Sequence, residues 1–276
     1  MPDLRQLRTA VERVLKDTAE REILPRFLKV NGEMKADGSA FSAADIAAQE
    51  SLIDALSRLA DLPMIGEEMP TEAQKAAWDQ GFVDGVWVMD PIDGSTNFLV
   101  GLPLFAVSVA LMRKGRPILG VSYLPLMQEM FSANLGGGVW RNGARLPAIA
   151  VDAARKAVAD TVACIDFKRL PPQLSLAIVH EAPIYSQRNF GSSVLDWCYL
   201  AAGRIDAITH GSERLWDYAA GWLMTEEMGG RVATFETDDF ATASPWKRSI
   251  IAARDPELFC LWRDWIRRRM AGGGAQ

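Results

Sequence analysis

The sequence predicts a mixed α and β protein, an α+β first half and a layered α/β second half that meet near residue 150. Three observations predict it. Apolar runs between residues 84 and 146 are joined by short turn signals, and such hairpins build antiparallel sheet. Beyond residue 150 short strands alternate with helical patterns, the mark of a layered α/β arrangement. The 276 residues, 49% apolar and 24% charged, suffice for one large domain or for two smaller units, 1–150 and 151–276, sharing a core.

Each element has a local reason. Residues 3–30 carry Leu4, Leu7, Val11, Val14 and Leu15 at helical spacing, so the spacing predicts an amphipathic helix. "NGEMKADGS" at 31–39 reads as a polar loop with two glycine turns. Residues 43–60 repeat the helical pattern through Ile46, Leu52, Ile53, Leu56 and Leu59, and Ser42 with Asp45 has the form of a capping box. A short apolar piece at 63–70 ends in Gly66, Glu67 and Glu68. Strands are expected at 84–90, 104–113, 117–123 and 128–133, and Asn142-Gly143 is a strong hairpin turn. Later strands are expected at 157–165, 183–188, 204–209, 231–235 and 248–253. Helices are expected at 171–181, 193–203, 217–229 and 255–269, with Gly229-Gly230 ending one of them and "AGGGAQ" a frayed tail.

Composition removes several classes of function. A net charge of −5 offers no electrostatic case for nucleic acid or an anionic membrane. An acidic chain that binds an anionic substrate needs metal ions or backbone amides for the positive field. Cys164, Cys198 and Cys260 form no close pair, which argues for a reducing compartment, and two histidines leave little for zinc or haem. The charged N-terminus is not a secretory signal, and no apolar run nears the ~18 residues of a membrane span. A soluble cytoplasmic protein is the expectation. Nine tryptophans fit well-filled cores or an apolar interface.

Carboxylates stand at element ends beside glycine in three places: Glu67 in "IGEE", Asp90 and Asp93 in "MDPIDGSTNF", and Asp217 in "RLWDYAAG". Singly, each is an ordinary turn or capping residue. Together they offer the oxygen ligands that a hard dication such as Mg²⁺ takes. Two such ions need several converging carboxylates, one of them bridging. In Asp90-Pro-Ile-Asp93, proline stiffens the turn and the Ile92 carbonyl is free to join the ligands; Gly94 and Ser95 then open a turn whose amides can hold phosphate. The haloacid-dehalogenase pattern sets its aspartates two apart rather than three, and an EF-hand needs a closing Glu that is missing here.

With "GEE" at 66–68, "DPIDGSTNF" at 90–98 and "WDYAAG" at 216–221, the chain resembles the inositol monophosphatase-like, Mg²⁺-dependent, lithium-sensitive phosphatases. "KADGSAFSAAD" at 35–45 and "GSSVLDWCYLAAGRIDA" at 191–207 support the match. The resemblance implies an αβαβα sandwich, commonly a homodimer, with two or three Mg²⁺ ions held by Glu67, Asp90, Asp93, Asp217 and the Ile92 carbonyl. It implies phosphate contacts from the Gly94 and Ser95 amides, and water activated by Glu67 with Ser95 and Asp45. Ser95 stands where a threonine is usual and keeps the hydroxyl. Lys35 matches a lysine of the family, and is otherwise a solvated loop residue. The reaction implied is direct in-line displacement on a phosphomonoester, with no covalent enzyme intermediate.

Specificity is expected from residues 187–210. Gly191, Ser192 and Ser193 match a substrate-contacting turn, Ser192 also being a plausible helix N-cap. His210 lies seven before Asp217, where members that cleave inositol phosphate carry an acid that holds ring hydroxyls. An imidazole offers one donor and one acceptor instead of a carboxylate's acceptors. Arg188 is a candidate for a second anionic group or an ordinary surface arginine. Inositol monophosphate, histidinol phosphate, fructose 1,6-bisphosphate and 3′-phosphoadenosine 5′-phosphate all stay open, as does a non-catalytic binding role.

Overall fold

The computed structural model describes residues 3–30, 32–34, 40–148 and 157–271. Lys35, the junction near residue 150 and the tail at 272–276 lie outside the described residues.

Helix α1 (Leu4–Thr18) starts at Asp3, whose side chain accepts the Arg5 amide. The expected helix over 3–30 stops sooner. It widens to a π turn at Ala19–Ile23, tightens to a 3₁₀ turn at Leu24–Arg26 around Pro25, and is broken by Leu28 in the left-handed region. Residues 32–34 of the expected polar loop form β1 (Gly32–Met34), paired with β2 (Ala40–Ser42), and the rest of that loop lies outside the described residues. Helix α2 (Ala43–Leu59) carries the expected capping box, Ser42 and Asp45 bonding each other's backbone ends. Strand β3 (Met64–Gly66) follows, then α3 (Thr71–Gly81), a polar helix that the sequence reading leaves out. Strand β4 (Val86–Asp93) runs into a short helix α4 (Ser95–Val100), where a turn was expected. Strands β5 (Ala106–Arg113), β6 (Arg116–Leu124), β7 (Glu129–Asn134), β8 (Val139–Arg141) and β9 (Ala144–Arg145) complete a seven-stranded sheet in chain order. All its pairs are antiparallel except β3 with β4, and Asn142-Gly143 makes the β8–β9 turn.

Strand β10 (Val162–Asp166) opens the second sheet, preceded by a 3₁₀ turn at Val158–Asp160 rather than continuous strand. Helix α5 (Pro172–Glu181), β11 (Ser186–Arg188), α6 (Ser193–Ala201), β12 (Ala207–Glu213), α7 (Leu215–Glu227), β13 (Arg231–Ala233), β14 (Arg248–Ala253) and α8 (Pro256–Ala271) follow. This sheet has the order β11-β10-β12-β14-β13.

Five layers result, αβαβα, because each sheet is apolar on both faces. Along β4 the side chains alternate: Trp87 and Met89 join Leu7, Val11, Leu15, Leu52 and Leu56 of α1 and α2. Val86 and Val88 join Trp197 of α6 and Trp222 of α7. These two central helices also meet Ile208 and Ile250 of the second sheet. Its far face, with Ala163, Ile165 and Ile251, is covered by Leu174 of α5 and Trp262 of α8. The small residues of "WDYAAG" have a packing reason: Ala220 rests on Gly120, where a Cβ would come within 2.8 Å of its Cα, and Gly221 abuts Trp197. Among the described residues no helix is long and apolar enough to cross a membrane.

Candidate metal centre

Strand β4 is central and buried, yet it ends in two acids. Residues three apart on a regular strand face opposite sides. Here the β4–β5 register shifts between Asp90 and Asp93, and this bulge re-aims the second acid toward the first. Asp217 comes from the first turn of α7, a position further into the helix than the N-cap expected from the sequence; its Oδ2 accepts the Arg214 amide at 2.8 Å. Ligand oxygens of Asp90, Asp93 and Asp217 all lie within 4.8 Å of one another.

Those three carboxylates strain against burial and each other. Asp90 is 1% exposed, and its Oδ1 has no hydrogen-bond partner. Burial pushes its carboxyl well above the usual range, and the charges of Glu67, Asp93, Asp217 and Asp45 push the same way. Burial also raises Asp217, with Asp93 and Glu213 adding to it. Asp93 is raised by burial to about 6, although hydrogen bonds from Ser192 and Val194 pull it down. An oxygen-only donor set with an orphaned buried oxygen fits a hard dication.

Glu67 follows β3 and is half-buried. It is not one of the three that converge within 4.8 Å, but its charge reaches Asp90 and Asp217. Its loop is held by two glutamines that the sequence reading passed over. Gln49 Oε1 accepts the Glu68 amide at 2.9 Å, and Gln74 Nε2 donates to the Gly66 carbonyl at 2.9 Å.

Ser95 begins α4 directly after Gly94, which has φ 89°. A side chain at 94 would bring its Cβ within 2.9 Å of the Leu104 carbonyl oxygen, so glycine is required on both counts. Ser95 Oγ lies 2.8 Å from the Ile92 carbonyl and 3.1 Å from Asp45 Oδ1. Asp45 is buried, its Oδ2 accepting from the Ser42 amide at 2.7 Å and hydroxyl at 2.9 Å. Capping α2 and touching Ser95 are therefore one geometry. Asn97, also missed in sequence, donates to the carbonyls of Leu104 and Phe190, both at 2.7 Å, and so ties α4 to the chain that enters α6.

The turn at 191–193 meets Asp93. Ser192 is 3% exposed, its hydroxyl donates to Asp93 Oδ2 and it also caps α6. The Val194 amide donates to the same oxygen at 2.8 Å and Ser193 adds a backbone hydrogen bond, so Ser192 and Ser193 hold Asp93. Gly191 is exposed beside them. Arg188 folds back on its own strand, donating to Ser186 Oγ at 2.6 Å and the Gln187 carbonyl at 2.9 Å.

His210 is 5% exposed in the middle of β12, which runs on to Glu213 instead of ending at 209. Thr209 accepts from Trp262 on the outer face, so alternation turns His210 inward toward α6. There Nε2 lies 3.2 Å from Asp196 Oδ2 and Nδ1 lies 3.1 Å from Glu213 Oε1. No spacing signal pointed to those two acids.

A profile of the inositol monophosphatase family matches residues 3–263. An inositol-1-monophosphatase of Mesorhizobium japonicum is 35% identical over 213 residues, 74% of this chain and 75% of that protein. A Nus factor SuhB of Pasteurella multocida is 34% identical over 210 residues, 73% of this chain and 74% of its own. Among solved structures, the extragenic suppressor protein SuhB of Bartonella henselae superposes with a TM-score of 0.78 at 28% identity, over 97% of this chain and 99% of that one. The five-layer fold and the run of matching residues lead to one conclusion: the chain belongs to the inositol monophosphatase family.

Proposed function

We propose that this chain is a Mg²⁺-dependent phosphatase that hydrolyses the phosphomonoester of a small polyol or sugar, of the inositol monophosphate kind, by direct attack of water. The observation that carries the reading is the trio of Asp90, Asp93 and Asp217 within 4.8 Å, with a buried oxygen of Asp90 left without a partner. Asp90, Asp93, Asp217, Glu67 and the Ile92 carbonyl would hold two or three Mg²⁺ ions. Bound there, the ions would neutralise the phosphoryl oxygens and lower the pKa of water. The chain's own groups orient the reactants. A hydroxyl has one proton and two lone pairs. Ser95, within reach of Asp45 and the Ile92 carbonyl, directs its proton inward and keeps a lone pair for a water proton. Glu67 takes the other proton of that water as general base. The Gly94 and Ser95 amides, at the start of α4 where no intrahelical acceptor exists, receive phosphate oxygens. Asp217 orients the water that returns a proton to the leaving alcohol.

With His210 turned inward onto Asp196, this reading gives it no ring-hydroxyl contact. The same chemistry on histidinol phosphate, fructose 1,6-bisphosphate or 3′-phosphoadenosine 5′-phosphate is the alternative. The active unit in this reading is a cytoplasmic, lithium-sensitive homodimer. Residues 1–150 supply most metal ligands, and residues 151–276 supply Asp217 and the specificity residues. A second reading, a regulatory binding protein, is favoured by one observation: a relative at 34% identity is named a Nus factor. Phosphate release from the four esters, with Mg²⁺ and with EDTA, separates them. Release from at least one ester in Mg²⁺ and none in EDTA supports hydrolysis; no release from any ester in Mg²⁺ leaves the binding role.

A further inference from the structure

Next to the three acids lies a second buried ionisable group that the proposed chemistry does not use. Asp196 of α6 is 3% exposed, His210 of β12 is 5% and Glu213 at the end of β12 is 0%. His210 Nε2 is hydrogen-bonded with Asp196 Oδ2 at 3.2 Å. Its Nδ1 stands 3.1 Å from Glu213 Oε1 but out of hydrogen-bond line, a contact of charge rather than of direction. Glu213 Oε2 accepts from Trp197 Nε1 of α6 at 2.9 Å. His210 and Glu213 are three apart on one strand and meet only because the β12–β14 register shifts between them, the same device that joins Asp90 and Asp93.

The two ends of this group lead to the candidate metal ligands. Asp196 sits one turn after Ser192, and Ser192 Oγ with the Val194 amide fixes Asp93 Oδ2. Glu213 precedes Arg214, whose amide fixes Asp217 Oδ2 at 2.8 Å. The start of α6 thus sets Asp93, the corner between β12 and α7 sets Asp217, and His210 spans the two. Burial opposes a charge on the imidazole, but Glu213 and Asp196 outweigh it and raise His210 to about 9. Without His210, no side chain links Asp196 of α6 to Oε1 of Glu213 at the corner, and two buried acids lose their polar partner.

We propose that His210 is a positioning residue: clamped between Asp196 and Glu213, it holds α6 and the β12–α7 corner at the separation that lets Asp93 and Asp217 share one divalent cation. The proposal rests on the metal-dependent reading above. It assigns His210 no contact with substrate.

The test is Mg²⁺ binding by calorimetry to the full chain, wild type, His210→Gln and Asp90→Asn, with KM and kcat measured at saturating Mg²⁺. The expected result for His210→Gln is a Mg²⁺ affinity lower by about 10–100-fold, the range for lost support around a metal ligand. KM at saturating Mg²⁺ stays within twofold. A merely structural role lowers the melting temperature and leaves the affinity unchanged. A substrate-contacting role raises KM and leaves the affinity unchanged. Either result overturns the proposal. Failure of the metal reading looks different: wild type and Asp90→Asn then bind Mg²⁺ alike or not at all, and the proposal falls with it. Should His210→Gln not fold, Asp196→Ala, which removes the oxygen that faces His210 Nε2, carries the same test with the same expected loss.

Discussion

Asp93→Asn separates what the acid cluster costs the protein from what it does. Burial raises the Asp93 carboxyl from 3.8 to about 6, so the charged form is disfavoured in the folded chain. At 1.36 kcal/mol per pKa unit this disfavours the folded state by about 3 kcal/mol once the group is ionised. The folded pKa is the higher one, so the folded state binds the proton more tightly. Stability is therefore greatest below the unfolded value near 3.8, and is lost as pH rises through about 6. Asparagine carries no charge, and its oxygen can still accept from Ser192 Oγ and the Val194 amide. In EDTA at pH 7.5 the variant is expected to be more stable than wild type by up to about 3 kcal/mol, roughly 6–12 °C in melting temperature. At pH 4 the gain should vanish. Added Mg²⁺ should reverse the order, stabilising wild type and leaving the variant nearly unmoved. Melting curves at both pH values, with EDTA and with Mg²⁺, make the comparison. A variant less stable than wild type in EDTA at pH 7.5, with an equal Mg²⁺ shift, would show that the Asp93 charge neither destabilises the fold nor serves the cation.

Other outcomes follow from single contacts. Ser95→Ala removes the hydroxyl that reaches Asp45 and the Ile92 carbonyl, and should lower kcat at saturating Mg²⁺ by at least about 100-fold; a kcat within twofold of wild type contradicts that role. Gly94→Ala forces a side chain into a left-handed residue 2.9 Å from the Leu104 carbonyl oxygen. It should cost about 1–3 kcal/mol in a denaturant titration, and an unshifted midpoint counts against the geometry. Lithium at ~10 mM, far below the concentration needed to screen buried charges, should inhibit phosphate release in Mg²⁺; indifference speaks against a Mg²⁺ site of the family type.

The strands and the metal candidates were legible because their signals are local. Asn142-Gly143 marks its own turn, and the short apolar runs at 86–89 and 106–112, bounded by turn signals, read as buried strands. Asp90, Asp93 and Asp217 stand out because acids are costly at the ends of buried elements. What sequence spacing hides is the bulge. Period-two logic separates residues 90 and 93, and also 210 and 213, yet register shifts bring each pair to one side. His210 therefore reads as a pocket residue until Asp196, fourteen residues away, is seen to face it. Helix α3 escaped notice because only Gln74 and Gly81 are fully buried in it, leaving little apolar periodicity. The ladder at 32–34 and 40–42 escaped for the opposite reason: glycine and polar residues favour loops unless a partner strand is at hand.

In the function proposed for this chain, the trio at the end of β4 and the start of α7 binds the cations that drive hydrolysis. Mg²⁺ binding and phosphate release measured together on wild type and Asp90→Asn test it most directly. Wild type is expected to bind Mg²⁺ and to release phosphate only when Mg²⁺ is present. Asp90→Asn, folded by circular dichroism, is expected to lose tight Mg²⁺ binding and at least about a thousandfold of the rate. Phosphate release by Asp90→Asn at the wild-type rate, or by wild type in EDTA, would contradict the account.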